Sequence, residues 1–295
     1  MTSPSRILRV VLWMTGVLLS FSTLALSIRG LAGALSIFEV LTVRTIGGLI
    51  ILFTLATAMP ELRPSMKPRR MGFNLVRNGV HFASQYVWAL ALTLLPLATV
   101  FALEFTMPIW LAFIAVFFLG EKMTPSRIGV VVLGFAGALV ILRPGLIAFQ
   151  PASLLVLSAA LGYAIFNALT KKLTSTETTF SIVFWMNAMQ LPMGLAGSDP
   201  FFFQKLGWEH LPSIIGIGAA GLSAHYCLTN AFRAGDATLV MPIDFLRVPL
   251  IALVGWRFFG EKLDPFVVLG AAIMLFGIVW NLRDEAKKAH KRPDH

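Results

Sequence analysis

Residues 120–125 read Gly-Glu-Lys-Met-Thr-Pro, and residues 260–265 read Gly-Glu-Lys-Leu-Asp-Pro. The copies lie 140 positions apart. The same lag pairs Tyr86 with Tyr226, Ala91 with Ala231, Glu104-Phe105 with Asp244-Phe245, Ala112 with Ala252, Phe118 with Phe258 and Gly137 with Gly277. Self-similarity at one fixed lag marks a duplication, so the chain is two copies of one unit.

The sequence around these copies is apolar. Of 295 residues, 57% are hydrophobic and 13% charged, and the mean hydropathy is +0.80. Such a chain expects lipid as its solvent. A helix needs about 20 apolar residues to cross about 30 Å of hydrocarbon. Turn signals at Pro60 to Pro68, Leu95-Pro96, Gly120 to Pro125, Pro144-Gly145, Lys171-Lys172 and Ala234-Gly235-Asp236 cut the apolar sequence into ten such segments. They fall near 10–28, 37–59, 73–95, 97–119, 126–142, 152–170, 179–197, 211–232, 237–259 and 265–282. The first is read as an uncleaved helix, not a secretory signal, because nine more spans follow it.

The expected fold class is therefore an all-α integral membrane protein. One lag holds five spans, an odd number, so equivalent helices cross the membrane in opposite directions. That gives two inverted five-helix repeats, 1–146 and 147–285, and a charged tail, 286–295. Inverted repeats suit secondary transporters, whose similar halves exchange conformations around a central site.

Basic residues orient the chain. With a cytoplasmic N-terminus, sixteen Lys and Arg fall inside, against five outside: Arg29, Arg143, Lys205, Arg257 and Lys262. Arg44, Arg77 and Arg247 stay within spans. The bias places both termini in the cytoplasm of a multi-pass inner-membrane protein. The net charge of +10 thus records orientation and gives no support for a nucleic-acid partner. A single cysteine, Cys227, and five scattered histidines offer no metal motif, and no cofactor is expected.

The ten spans, the paired Gly-Glu-Lys turns, Phe38-Glu39 with Arg44 in span two, and the glycine-punctuated spans five and ten resemble the EamA branch of the drug/metabolite transporter superfamily. The resemblance covers residues 10 to 282. It implies a carrier with its substrate cavity between the halves, lined by spans one to four and six to nine. Phe38-Glu39 then Arg44, Arg77 then His81, and Asp236-Ala237-Thr238 before Pro242 look like the branch that includes S-adenosylmethionine uptake carriers. Riboflavin carriers share that layout. The expected function is alternating-access transport of a heterocyclic or zwitterionic metabolite, with proton-coupled export of amino acids or metabolites as the alternative. The partners are then a small solute, the bilayer and coupling protons, and the state is a monomer or homodimer.

Charges inside a bilayer cost several kcal/mol unless paired, hydrated or used. Arg44 lies about seven residues into its span, roughly 10 Å deep, too far for easy snorkelling, and its guanidinium suits a carboxylate or phosphate. Glu39 is closer to the outer surface and reads as an interfacial charge. Glu104 and Asp244 are repeat equivalents that could exchange protons or meet a cationic group. Asp244 and Arg247, at i and i+3, could equally neutralise each other. His81 and His225 are near-midplane imidazoles fit for a proton step or for bridging helices. At the repeat lag they face Gly221 and Gln85. Gln85, Tyr86 and Trp88 extend a polar-aromatic stripe from His81, and Phe82 should face lipid. Tyr163 with Asn167, Trp185 with Asn187, and Tyr226 with Asn230 add groups that stack on and hydrogen-bond to a flat ring. Pro108, Pro192, Pro242 and Pro249 are expected to loosen their helices, and the Gly-Glu-Lys turns to carry interfacial charges only.

A lipid-modifying membrane enzyme is the rival class. No two aspartates stand at a DDxxD spacing that would hold magnesium, and Ser223 and His225, at i and i+2 of a helix, do not face each other.

Overall fold

The computed structural model describes residues 4–31, 33–67, 69–95, 100, 103–142, 150–260 and 265–290. Among the features named above, Pro68, Pro96, Arg143, Pro144-Gly145, Glu261-Lys262 and the tail's 291–295 lie outside them, as does the side chain of Arg29. Regular structure within the described residues is helical throughout: α1 (Pro4–Leu31), α2 (Ile37–Ala58), α3 (Met71–Leu94), α4 (Met107–Leu119), α5 (Pro125–Leu142), α6 (Ser153–Leu173), α7 (Thr179–Ala196), α8 (Leu211–Ala234), α9 (Ala237–Val240), α10 (Arg247–Phe259) and α11 (Pro265–His290). Short 3₁₀ turns occupy Pro60–Met66, Phe202–Lys205, Trp208–His210 and Met241–Leu246.

Helix falls in each of the ten expected segments, but six stretches have the length and composition of a lone membrane crossing: Ser5–Ile28, Ile37–Ala58, Ser153–Leu173, Trp208–Ala234, Ala237–Val254 and Pro265–Lys288. The apolar stretches Met107–Leu119 and Pro125–Ile141 are shorter. Neither α3, with Asn74, Arg77, Asn78, His81 and Gln85, nor α7, with Asn187 and Gln190, is among the six. Their polar groups face protein, as shown below, and that is why their composition departs from that of a lipid-facing helix. The end helices also run further than expected, from Pro4 and to His290.

Local sequence explains the boundaries. Ser36 caps α2 through a reciprocal box: its hydroxyl accepts from Glu39 N–H, and the Glu39 carboxylate accepts from Ser36 N–H at 2.7 Å, so two otherwise orphaned donors are satisfied. Thr178 caps α7 by accepting from Ser181 N–H at 3.1 Å. Gly120 ends α4 at φ 68°, with Glu121 N–H donating to Ala115 O at 3.0 Å. A β-carbon there costs roughly 1–2 kcal/mol, and Pro125 then opens α5 with φ already helical.

Packing reflects the duplication. α1 lies along α8 and α3 lies along α6. Under the 140-residue lag α1 corresponds to α6 and α8 to α3, so each contact is the image of the other. α2 packs against α7 and α8, and α5 runs along α11.

The prolines do more than kink. Phe105 and Thr106 form a turn before α4, whose first turn holds Pro108. In the ninth segment α9 gives way to the 3₁₀ turn containing Pro242, and α10 starts at Arg247 with Pro249 two residues on. Both breaks carry the repeat-equivalent acids, Glu104 and Asp244. Interrupted backbone at membrane depth is tolerated where it is buried in protein or lines a cavity.

Candidate functional site

A cavity of about 560 Å³ lies between the halves. Its α1 wall runs from Val17 to Ile28 and continues through Gly33, Leu35 and Ile37, reaching the end of the molecule where α1 stops and α2 starts. Toward the other end, Val10 and Met14 are fully buried with Phe232, Leu239 and Val240, so the cavity is stopped by packing there.

One pole of the cavity is cationic. Arg44 Nη2 donates to Gln85 Oε1 at 3.3 Å and to Gln190 Oε1 at 3.1 Å. No carboxylate among the described residues pairs with it. Its stem crosses Gly221, where a β-carbon would stand 2.6 Å from Arg44 Cγ. That space exists because Gly221 occupies the position that His81 fills in the first repeat. The carboxamide nitrogens of Gln85 and Gln190 lie 2.9 Å from His81 Nε2 and 2.8 Å from His81 Nδ1. A neutral imidazole has one acceptor nitrogen, so one of these contacts is a donated hydrogen bond. Phe166 stacks on His81 with centroids 3.9 Å apart, and Tyr163 and His225 meet its ring at 5.9 and 5.3 Å. Arg77 sits beneath this layer, 5.0 Å from the Phe166 centroid and 1% exposed.

The other pole is acidic. Arg247 Nη2 is 2.8 Å from Asp244 Oδ2 and 3.6 Å from Glu104 Oε1, and Trp88 Nε1–H donates to Glu104 Oε2 at 2.8 Å. Two carboxylates share one guanidinium. Arg247 also covers the Phe21 ring at 4.9 Å, and Phe21 meets His225 at 6.5 Å, so aromatic rings join the two poles. Asp244 Oδ1, Arg247 Nε and Asn167 Oδ1 are buried with no hydrogen-bond partner among the described residues.

Ten of the fourteen site residues expected from sequence line the cavity: Arg44, His81, Gln85, Trp88, Glu104, Tyr163, Asn167, His225, Asp244 and Arg247. Four do not. Tyr86 is half-exposed beside Phe38, with centroids 5.4 Å apart, and Tyr226 is half-exposed edge-on to Trp13. Trp185 Nε1–H donates to Met66 O, holding the 3₁₀ turn after α2. Asn187 is packed against Gly48 and donates to Val183 O. No lining residue comes from span seven, contrary to the expected set of lining spans. It acts through Gln190, one layer behind. Sequence reasoning missed Gln190, Phe166, Phe21 and Met107. Gln190 was detectable as a second amide one turn from Asn187, whereas Phe166 and Phe21 are two phenylalanines among twenty-four.

Phe82, expected to face lipid, is part-exposed beside Phe38, with centroids 6.0 Å apart. Two surrounding expectations change. Glu39 is 2% exposed, buried as a cap and paired with Lys205 Nζ at 2.7 Å. Glu121 of the first Gly-Glu-Lys turn is more than an interfacial charge: it accepts from Ala237 N–H at 2.7 Å and from Thr238 N–H and Oγ1–H at 3.0 and 2.7 Å. Beside it Arg127 reaches Glu285 (3.1 Å), Asp236 (2.9 Å) and Thr238 Oγ1 (2.7 Å). Lys171 donates to the carbonyls of Phe232 and Gly235. Glu121 and Arg127 tie the halves together at the end that the cavity does not reach.

The sequence profile described as the EamA-like transporter family matches residues 8–143 and 150–283. A riboflavin transporter of Rhizobium johnstonii is 30% identical over 98% of this chain and 95% of its own length. An S-adenosylmethionine uptake transporter of Rickettsia felis is 28% identical over 77% of both chains. A solved crystal structure superposes with a TM-score of 0.79 over 98% of this chain and 99% of its own, at 17% identity, which shows the fold alone.

Proposed function

The chain belongs to the EamA-like transporter family, and from that premise we propose that it carries a small heterocyclic or zwitterionic metabolite by alternating access. It is a membrane transporter and not an enzyme. The observation that carries the reading is the largely apolar cavity, set with a few charged, polar and aromatic groups, between two repeat-related halves, walled off at one end and extending to the other. S-adenosylmethionine and riboflavin are the solutes to try first, since relatives named for each match most of this chain.

The reading includes ten crossings in two inverted five-helix repeats, 1–146 and 147–285, with both termini on the cytoplasmic side of the inner membrane. Reciprocal packing of α1 on α8 and α6 on α3 supports it. So do the helix breaks at Glu104 and Asp244, which resemble the discontinuous helices of other inverted-repeat carriers. In this orientation the cavity faces outward and the Glu121–Arg127 network closes the cytoplasmic side. Rocking the halves then breaks that network and brings Glu39 and Lys205 closer to the solute path. One of Glu104 and Asp244 couples transport to protons. If the Glu104→Gln, Asp244→Asn double variant keeps the wild-type pH dependence of transport, the coupling assignment fails.

Thermal-shift screening of the purified protein against flavins, S-adenosylmethionine, nucleosides and amino acids tests the substrate. Saturable stabilisation by a ring-containing member is expected. Stabilisation by none of them removes the heterocycle preference.

A further inference from the structure

The cavity's poles differ in what they lack. At the Arg44 pole a buried guanidinium is held by two carboxamide oxygens and no acid. Amide oxygens satisfy its N–H groups without cancelling its charge, so this end asks for an anion with two acceptors, a carboxylate or a phosphate-like oxyanion. At the other pole two acceptors and one donor, Arg247 Nε, are unmet among the described residues. Asp244 is 3% exposed and Asn167 5% exposed, both line the cavity, and each has a buried oxygen with no partner among the described residues. Glu104 and Asp244 share one arginine. A buried acceptor left unmade costs about 1–3 kcal/mol, and more where it is charged. Native interiors leave few such groups unless a ligand or water meets them.

We infer that the solute is read at both ends, an anionic group by Arg44 between Gln85 and Gln190, and a positively charged N–H donor by Asp244 with Asn167, across a flat body held between the two poles. This rests on the transporter reading and narrows it, because an uncharged ring system meets neither demand. Each pole draws on both halves of the duplication, Arg44 and Gln85 with Gln190 at one and Glu104 and Trp88 with Asp244 and Arg247 at the other, so a solute bound at both poles is held by both halves at each end.

Isothermal titration of the full-length protein tests this with matched probes. S-adenosylmethionine is compared with its decarboxylated form, tryptophan with tryptamine and with indole-3-propionate, and riboflavin serves as the uncharged ring. In at least one series the two-ended member binds tenfold or more tighter than each single-ended partner, and tighter than riboflavin. Arg44→Gln shrinks the preference for the carboxylate to under threefold and keeps the preference for the ammonium. Asp244→Asn does the reverse. Arg44→Lys keeps the charge and part of the preference, which guards against a folding defect in Arg44→Gln. Equal binding of single-ended and two-ended probes in every series, no binding by any two-ended probe, or riboflavin as the tightest ligand overturns the inference. Exchange of riboflavin in vesicles without charge preference leaves the carrier and removes the two-ended site. Tight two-ended binding without exchange leaves the site and removes the carrier.

Discussion

Two clusters in this molecule use the same residue types to different ends. At the closed end Arg127 meets Glu285, Asp236, Thr238 and the Lys122 carbonyl, and both oxygens of Glu121 are taken. In the cavity Arg247 meets Asp244 and Glu104, yet Arg247 Nε and Asp244 Oδ1 have no hydrogen-bond partner among the described residues. The first cluster is saturated and holds elements together. The second is under-satisfied and faces space, which is the signature expected where binding energy is kept for a ligand.

The sharpest break in this comparison is a charge deletion in each cluster. Arg127→Gln strands the buried Glu285, and the loss is about 3–5 kcal/mol of stability, read as a large fall in thermal midpoint. Pairing Arg127→Met with Glu285→Leu should recover much of it, since apolar replacement of a buried pair is often close to neutral. Asp244→Asn, by contrast, should leave the midpoint within experimental scatter or raise it, while weakening solute binding roughly 10- to 100-fold. Equal destabilisation by both single variants would erase the distinction.

A smaller effect is expected behind the cationic pole. Gly221→Ala puts a β-carbon against the Arg44 stem, an overpacking cost of about 1–3 kcal/mol. Shifting the guanidinium should weaken binding of a carboxylate-bearing probe more than that of its carboxylate-free partner. A uniform loss for both probes would mean that Gly221 serves packing alone.

The smallest effect lies at the outer rim. Lys205 donates to Glu39, and that hydrogen bond, with the charge of Glu39 and a second acid at Asp199, raises its pKa above the ordinary lysine value. A raised folded-state value gives stability that is present below the unfolded pKa, about 10.4, and lost as pH rises through the folded one. Wild-type melting curves should therefore fall more steeply than those of Lys205→Met above about pH 10. Parallel curves would show that the pair contributes nothing measurable.

Much of this was legible in sequence because lipid forces a simple pattern. Backbone groups must be satisfied within each helix, so apolar length and turn residues marked where the helices lie, and the Gly-Glu-Lys copies marked the duplication. Rare charges in an apolar chain were equally readable: Arg44, Glu104, Asp244 and Arg247 all reach the cavity. Tyr86 and Tyr226 misled, because their spacing does not reveal that they turn outward, half-exposed beside Phe38 and Trp13. Gln190 was missed because its role depends on a contact with Arg44 across 146 residues. Glu121 was underrated because its partners, Ala237 and Thr238, belong to the other half. Side chains whose partners lie on another helix have no local periodicity to reveal them.

The most direct test of the account is counterflow. Proteoliposomes containing the full chain are loaded with unlabelled S-adenosylmethionine, and in a parallel set riboflavin, then diluted into trace labelled solute. The account predicts saturable accumulation of at least one label, faster with the solute inside than without it, and lost in Arg44→Gln. Entry that is linear in concentration and indifferent to the internal solute, or no entry of either, would contradict it.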